Sequence, residues 1–188
     1  MPQHGRADGS VTAQVVFETH STTLDNEAGI ATGWLPGELS PAGRQQSADL
    51  GRRRAATGIA AVFCSDLARA IQTAAIAFDA TRIPVLLDWR LRECDYGSCN
   101  GMPAAEMHAH RAEHLDRPYP GGESWRQATH RVGRFLRDLP PRWSGQRVLV
   151  IGHVATRWGL DMALLGAPLE DLVSREFDWQ PGWEYVIP

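Results

Sequence analysis

Cysteine is scarce: Cys64, Cys94 and Cys99 are odd in number and form no C-x-x-C pair. That excludes a disulfide framework and a closed zinc site, so reduced thiols are expected. Long apolar runs are missing too. Nothing approaches the roughly 20 consecutive apolar residues of a spanning helix, and the first fourteen residues are polar and Gly-rich, unlike a signal peptide. No membrane partner is expected, and the chain reads as soluble and cytoplasmic. An excess of basic charge is also absent: nineteen Lys and Arg against twenty-two Asp and Glu give a formal charge of −3. Without a broad cationic surface, nucleic acid is not expected as a partner. There is no internal repeat or low-complexity block, and the Pro/Gly-rich stretches 29–43 and 116–122 are loops too short to be linkers. One domain over 1–188 is expected, with 1–13 flexible; at 43% hydrophobic the chain can bury one substantial core.

What is present is alternation. Short apolar runs at 14–19, 59–64, 83–88, 147–152 and, more weakly, 183–187 are separated by helical patterns. Most of the runs are continuously apolar, as strands covered on both faces are. The pattern predicts an α/β fold, a three-layer α/β/α sandwich with a mainly parallel central sheet. Ser40 followed by Pro41 signals the start of a helix reaching about Ala56. Asp66 is read as the cap of a helix to about Phe78, and 102–114 as a further helix that, with the loop to Gly122, is the only obvious cover for a site. A helix over about 123–139 places Trp125, Ala128, Val132, Phe135, Leu136 and Leu139 on one apolar stripe. The Arg-Arg-Arg run at 52–54 is read as a solvated helix end, where cations favour the helix dipole.

Ligands in such sheets bind beyond the carboxyl ends of the strands, so the polar residues just after each apolar run are the candidates. After the first run come Thr19, His20, Ser21 and Thr22; after the second, Ser65 and Asp66, leading to Arg69; after the fourth, His153 and then Arg157. Glu93 follows the third. No H-E-x-x-H spacing supports a metal, and none is expected. His108, His110 and His114 have the spacing of a solvated helix face. The first set suits phosphoryl transfer. A neutral histidine can be the nucleophile, an arginine can clamp the phosphoryl oxygens, and a carboxylic acid can protonate the departing alkoxide. His153, opening a helix, adds a donor where backbone N–H groups favour an anion.

These segments resemble the histidine phosphatase superfamily, which includes phosphoglycerate mutases and small phosphomonoesterases. The resemblance runs from Val15 to about Leu165. CSDLARAIQTAAIA at 64–77 places Arg69 on the family's phosphate-binding arginine, and LRECDYGSCNGMP at 91–103 places the family's acid on Glu93. TGWLPGELSPAGRQQ at 32–46 and PGGES at 120–124 match further recurrent stretches, and VLVIGHV at 148–154 puts His153 on the second active-site histidine. By the same likeness His20 is the phosphoacceptor. The family's first motif is Arg-His-Gly, however, whereas here Thr19, His20 and Ser21 stand in that order, with Asn26 in place. Glu18, in a strand that should be buried, must pair with a cation or face a pocket. Arg157, one turn beyond His153, is the candidate replacement for the missing arginine, and Arg44 a weaker one. Thr19, Ser21, Thr22, Asn26 and Arg157 are thus the expected substrate contacts.

The resemblance implies a metal-independent phosphomonoesterase that hydrolyses a small-molecule phosphate ester through phospho-His20, with catalytic His20, Arg69, Glu93 and His153 and no cofactor. A phosphoglycerate-type mutase, acid/base chemistry on a non-phosphate substrate, and a non-catalytic binding protein stay open as alternatives. A mutase would need a closing lid, for which the chain has little sequence to spare. Association as a homodimer is compatible with the sequence.

Overall fold

In the computed structural model, which describes residues 12–188, the apolar runs become strands close to where the pattern puts them. In chain order the elements are β1 (Ala13–Thr19), α1 (Leu24–Glu27), β2 (Ile30–Ala31), α2 (Pro41–Arg54), β3 (Ile59–Cys64), α3 (Ala68–Phe78), β4 (Val85–Leu87) and β5 (Met102–Pro103). They continue with α4 (Ala104–His110), α5 (Trp125–Asp138), α6 (Pro140–Trp143), β6 (Arg147–Gly152), α7 (Val154–Leu165), α8 (Leu169–Ser174) and β7 (Trp183–Ile187). The central sheet has the order β4-β3-β6-β1-β7. Its pairs are parallel except at one edge, where β7 runs antiparallel to β1.

Strand alternation assigns the two faces. Val16 of β1, with Val62, Leu149 and Ile151, packs on Leu50 of α2 and on Ala70, Ala74 and Phe78 of α3. Val15 and Phe17 turn the other way, with Ala61, Val148 and Val150, onto Val132, Phe135 and Leu136 of α5 and Leu160 of α7. Helices therefore cover both faces, giving the expected three layers. The predicted α5 stripe is buried throughout, from Trp125 to Leu139. Ser40 and Ser124 accept the backbone N–H groups that open α2 and α5.

Four expectations need correction. Val85, Leu86 and Leu87 are exposed, because β4 is an edge strand that no helix covers on both sides. Asp66 does not cap α3: the cap position is Leu67, and the Asp66 carboxylate instead takes two 2.6 Å hydrogen bonds from Arg92. The helix expected over 102–114 begins as β5, paired with β2, and ends in a 3-10 turn after α4. Ala13 already belongs to β1, so the sheet starts inside the segment expected to be flexible, while 1–11 lie outside the described residues. No helix among the described residues is long and apolar enough to cross a membrane.

Candidate active site

Three neighbouring strands end on the same edge, and each delivers one polar group. β1 runs into His20, whose N–H continues the ladder by donating to Gly152 O at 2.9 Å; β6 runs into His153; and β3 leads through Ser65 to Arg69 in the first turn of α3. The two imidazoles lie 4.9 Å apart, centroid to centroid. His20 Nδ1 is 2.8 Å from Ser21 O. A carbonyl can only accept, so Nδ1 carries the proton and Nε2 keeps its lone pair. Arg69 Nε donates to that Nε2 at 3.3 Å. Burial, aided by the Arg69 charge, pushes the His20 pKa down to about 3, which keeps the ring neutral.

Arg69 is held on several sides. Its Nη2 donates to Gly33 O at 2.8 Å and approaches His153 Nδ1 at 3.3 Å, and its Nη1 donates to Leu35 O at 3.4 Å. Gly33 has φ +54°, and a Cβ there would sit 1.8 Å from Asn100 Oδ1, so glycine is what lets this loop present its carbonyl. Because a guanidinium only donates, His153 accepts at Nδ1 and carries its proton on Nε2, which donates to Ser65 Oγ at 2.7 Å. Burial, followed by Arg69, holds the His153 pKa well below the ordinary range. The expected free donor at His153 is thus already used in holding the site together.

Glu93 faces the same cavity, of about 280 Å³, as His20, Arg69 and His153. Its Oε1 accepts from Cys94 N at 2.9 Å and Ala155 N at 3.1 Å, and its Oε2 from Val154 N at 3.2 Å. The N–H groups at the start of α7 therefore hold the carboxyl group; they were expected to favour the substrate's anion. Desolvation outweighs these bonds and the nearby Arg69, and raises the Glu93 pKa above the usual carboxylate value. The backbone carrying Glu93 is clamped by Arg131, which donates to Glu93 O at 2.7 Å, Arg92 O at 2.7 Å and Arg90 O at 2.8 Å, and pairs with Glu123. Trp34 Nε1 also donates to Glu93 O, at 2.6 Å.

The other first-motif residues separate. Thr19 and Asn26 line this cavity together with His20. Asn26 accepts from Thr23 N in the cap of α1, which leaves its amide N–H groups free among the described residues. Ser21 is turned inward: its N–H donates to Thr73 Oγ1 at 3.0 Å and its hydroxyl meets Ser47 Oγ at 2.8 Å. Thr22 donates its N–H to Gln46 Oε1 and lines only a second cavity beside the first. Glu18 is buried and bound by two members of the arginine run, Arg53 and Arg54, so that run is an ion-pair element and not a solvated helix end.

Arg157 does not replace the missing arginine. It lies one turn after His153, but its Nε bonds to Asp161 and its guanidinium lies 4.3 Å over Trp183, outside both cavities. Arg44 is exposed and also lines neither. Sequence reasoning missed Arg131, although its place three residues after Ala128 and four before Phe135 put it on the apolar stripe, where a charge must have a partner. It also missed His108 and Phe177, which line the cavity with His20. His110 pairs with Glu113 and His114 stacks on Tyr119, so the three histidines do not act together. Among the described residues no group of three His, Cys, Asp or Glu is placed to hold a metal ion.

This arrangement has relatives. The profile of the histidine phosphatase superfamily (branch 1) matches residues 15–180. The 2,3-bisphosphoglycerate-dependent phosphoglycerate mutase of Methylobacterium sp. (strain 4-46) is 32% identical over 177 residues, covering 86% of this chain and 85% of its own. Among solved structures, Bacillus stearothermophilus YhfR superposes with a TM-score of 0.81 at 29% identity, over 94% of this chain and 91% of that one. A mycobacterial glucosyl-3-phosphoglycerate phosphatase in complex with VO3 gives a TM-score of 0.76 at 26% identity, over 87% and 85%.

Proposed function

The chain belongs to the histidine phosphatase superfamily, and on that footing we propose that it is a metal-independent phosphomonoesterase acting on a small-molecule phosphate ester through phospho-His20. The observation that carries this reading is the state of His20: Nδ1 protonated and fixed by Ser21 O, Nε2 unprotonated beside the Arg69 guanidinium. A neutral, oriented imidazole next to a buried cation is what attack on phosphorus requires.

In the first step His20 Nε2 bonds to phosphorus as the ester P–O bond breaks. Arg69 meets the charge on the non-bridging oxygens, and Glu93 gives its proton to the departing alkoxide. Burial raises the pKa of Glu93, the direction that favours the protonated form this step needs. In the second step the Glu93 carboxylate takes a proton from water as the water oxygen attacks phosphorus. The P–N bond breaks, orthophosphate leaves and neutral His20 returns. His153 and Ser65 act by holding Arg69 in line.

Similarity to a mutase favours one second reading, in which the phosphoryl group returns to a substrate hydroxyl and not to water. A panel of phosphate esters, with and without chelator, tests the proposal: orthophosphate release that survives chelator and a +80 Da adduct on His20 after rapid denaturation are expected. Absence of both across the panel would overturn it in favour of non-phosphate chemistry. Incubation with a phosphoglycerate and a bisphosphorylated primer separates the mutase, which isomerises its substrate without net orthophosphate.

A further inference from the structure

Resting on the phosphoryl-transfer reading, the site is short of positive charge. A bound phosphoryl group carries roughly two negative charges, and Arg69 is the one guanidinium lining the cavity with Glu93 among the described residues. Both histidines are held neutral, and the chain contains no lysine, so a second cation has to be an arginine.

A neighbouring cavity of about 310 Å³ shares Thr19, His20 and Asn26 with the first, and Arg53 is the guanidinium in its lining. Two carboxylates line it as well. Asp49 is engaged by Arg52, and Glu18 is held by Arg54 through Nε at 2.9 Å and Nη2 at 2.6 Å on the same oxygen, Oε1. Arg53 adds Nη2 at 3.1 Å from Glu18 Oε2 and 3.3 Å from Oε1. Glu18 therefore has its counter-charge in Arg54, and Arg53 is the surplus. Its Nε and Nη1 donate to no group among the described residues, and its side chain is 35% exposed.

Thr19, with a short side chain, forms part of the wall of both cavities. We propose that Arg53 is the second phosphate-binding arginine, reaching past Thr19 with an N–H left free at Nε or Nη1 to a non-bridging oxygen of the group on His20. The leaving alcohol does not compete for this place, because its proton donor, Glu93, lines only the other cavity. The sequence departures at 18 and 19 thus act together: Glu18 draws the end of α2 toward the strand, and Thr19 leaves the gap through which Arg53 acts.

The test is the affinity of the whole chain for orthophosphate, followed by tryptophan fluorescence and by competitive inhibition of p-nitrophenyl phosphate hydrolysis. Arg53→Gln is expected to weaken orthophosphate by about tenfold or more, the value of a charge-assisted hydrogen bond, with a melting temperature close to wild type because Arg54 still meets Glu18. Thr19→Arg added to Arg53→Gln is expected to restore most of that affinity by placing a guanidinium between the cavities. Wild-type affinity in Arg53→Gln, or a loss that Thr19→Arg leaves unrepaired, overturns the proposal. If Arg53→Gln does not fold, Arg53→Met decides: it keeps the aliphatic stem but removes the charge, and unchanged orthophosphate affinity overturns the assignment. The two readings fail separately. Phospho-His20 with Arg53-independent orthophosphate binding removes only the Arg53 assignment, whereas Arg53-dependent binding without any adduct removes only the phosphatase.

Discussion

Replacing Arg131 by Met should cost both stability and catalysis, because one buried guanidinium ties helix α5 to the segment that carries Glu93. The side chain is 2% exposed and its three nitrogens make five hydrogen bonds of 2.7–2.9 Å, two to Glu123 and three to the carbonyls of residues 90, 92 and 93. Methionine fills much of the volume but donates nothing. Glu123 is left without its cation and three carbonyls without their donor, and breaking a buried, hydrogen-bonded pair from one side costs about 3–5 kcal/mol. In a chain of this size 1 kcal/mol moves the melting temperature by roughly 2–4 °C, so a fall of about 6–20 °C is expected. Arg131→Lys should recover part of it, since an ammonium keeps the charge but cannot span Glu123 and three carbonyls at once. The functional signature is a lower kcat with a near-wild-type affinity for orthophosphate, because Glu93 is displaced while His20 and Arg69 stay in place. Differential scanning calorimetry and steady-state kinetics on the same preparations read both. A melting temperature within 2 °C of wild type, on the same scale, would refute the view that this arginine bridges helix and loop.

Glu93→Gln should slow turnover of an alkyl phosphate by about 10²–10⁴-fold and, with p-nitrophenyl phosphate, whose leaving group needs little help, cause phospho-His20 to accumulate; mass spectrometry showing no adduct would contradict its part in the second step. With His20 pushed down to about 3 by burial and Arg69, the acid limb of kcat/KM is expected near that value and not near 6.5. The same shift fixes a sign for stability: between pH 6.5 and 3 the unfolded chain binds a proton on His20 that the folded chain does not, so stability is lost as the pH falls through this window. His20→Asn should make that loss shallower in urea titrations, and an unchanged slope would refute the assignment. Arg157→Ala should leave kcat and orthophosphate affinity within about twofold while lowering the melting temperature by a few degrees, as expected for a partly exposed ion pair; a large loss of phosphate affinity would return Arg157 to the site.

The residues that could be read from the sequence are those whose position follows from the backbone. The runs at 59–64, 147–152 and 183–187 coincide with β3, β6 and β7 because each becomes a sheet strand. His20, Arg69 and His153 converge because parallel strands end on one edge, and Glu93 joins them because the segment after β4 passes beneath α7. What could not be read was where long side chains go. Arg157 is one turn from His153, as the spacing requires, yet it leans along α7 to Asp161, which also accepts the Tyr185 hydroxyl. Helical spacing fixes a face but not the partner that a flexible side chain finds along it.

The arginine run at 52–54 makes the same point in reverse. Cations in the last turn of a helix need no partner, so a solvated end was a sufficient account of the three residues on composition alone. The buried carboxylate at 18 was a separate puzzle, since it had either to pair or to face an open pocket. Packing α2 against the sheet joins the two. Glu18 faces the α2 side of β1 at the level where α2 ends, Arg54 donates to it and also to Pro181 O at 3.2 Å, and Arg53 shares it from the cavity side. The segment after Arg175, whose Phe177 and Trp179 each line one of the two cavities, is thereby fastened to the strand that carries His20. Glu18 therefore does both things that its burial demanded: it is paired, and it stands in the wall of a pocket. An acidic residue two positions before the candidate nucleophile organises cations instead of repelling a phosphate, because the helix brings two positive charges to its one negative charge.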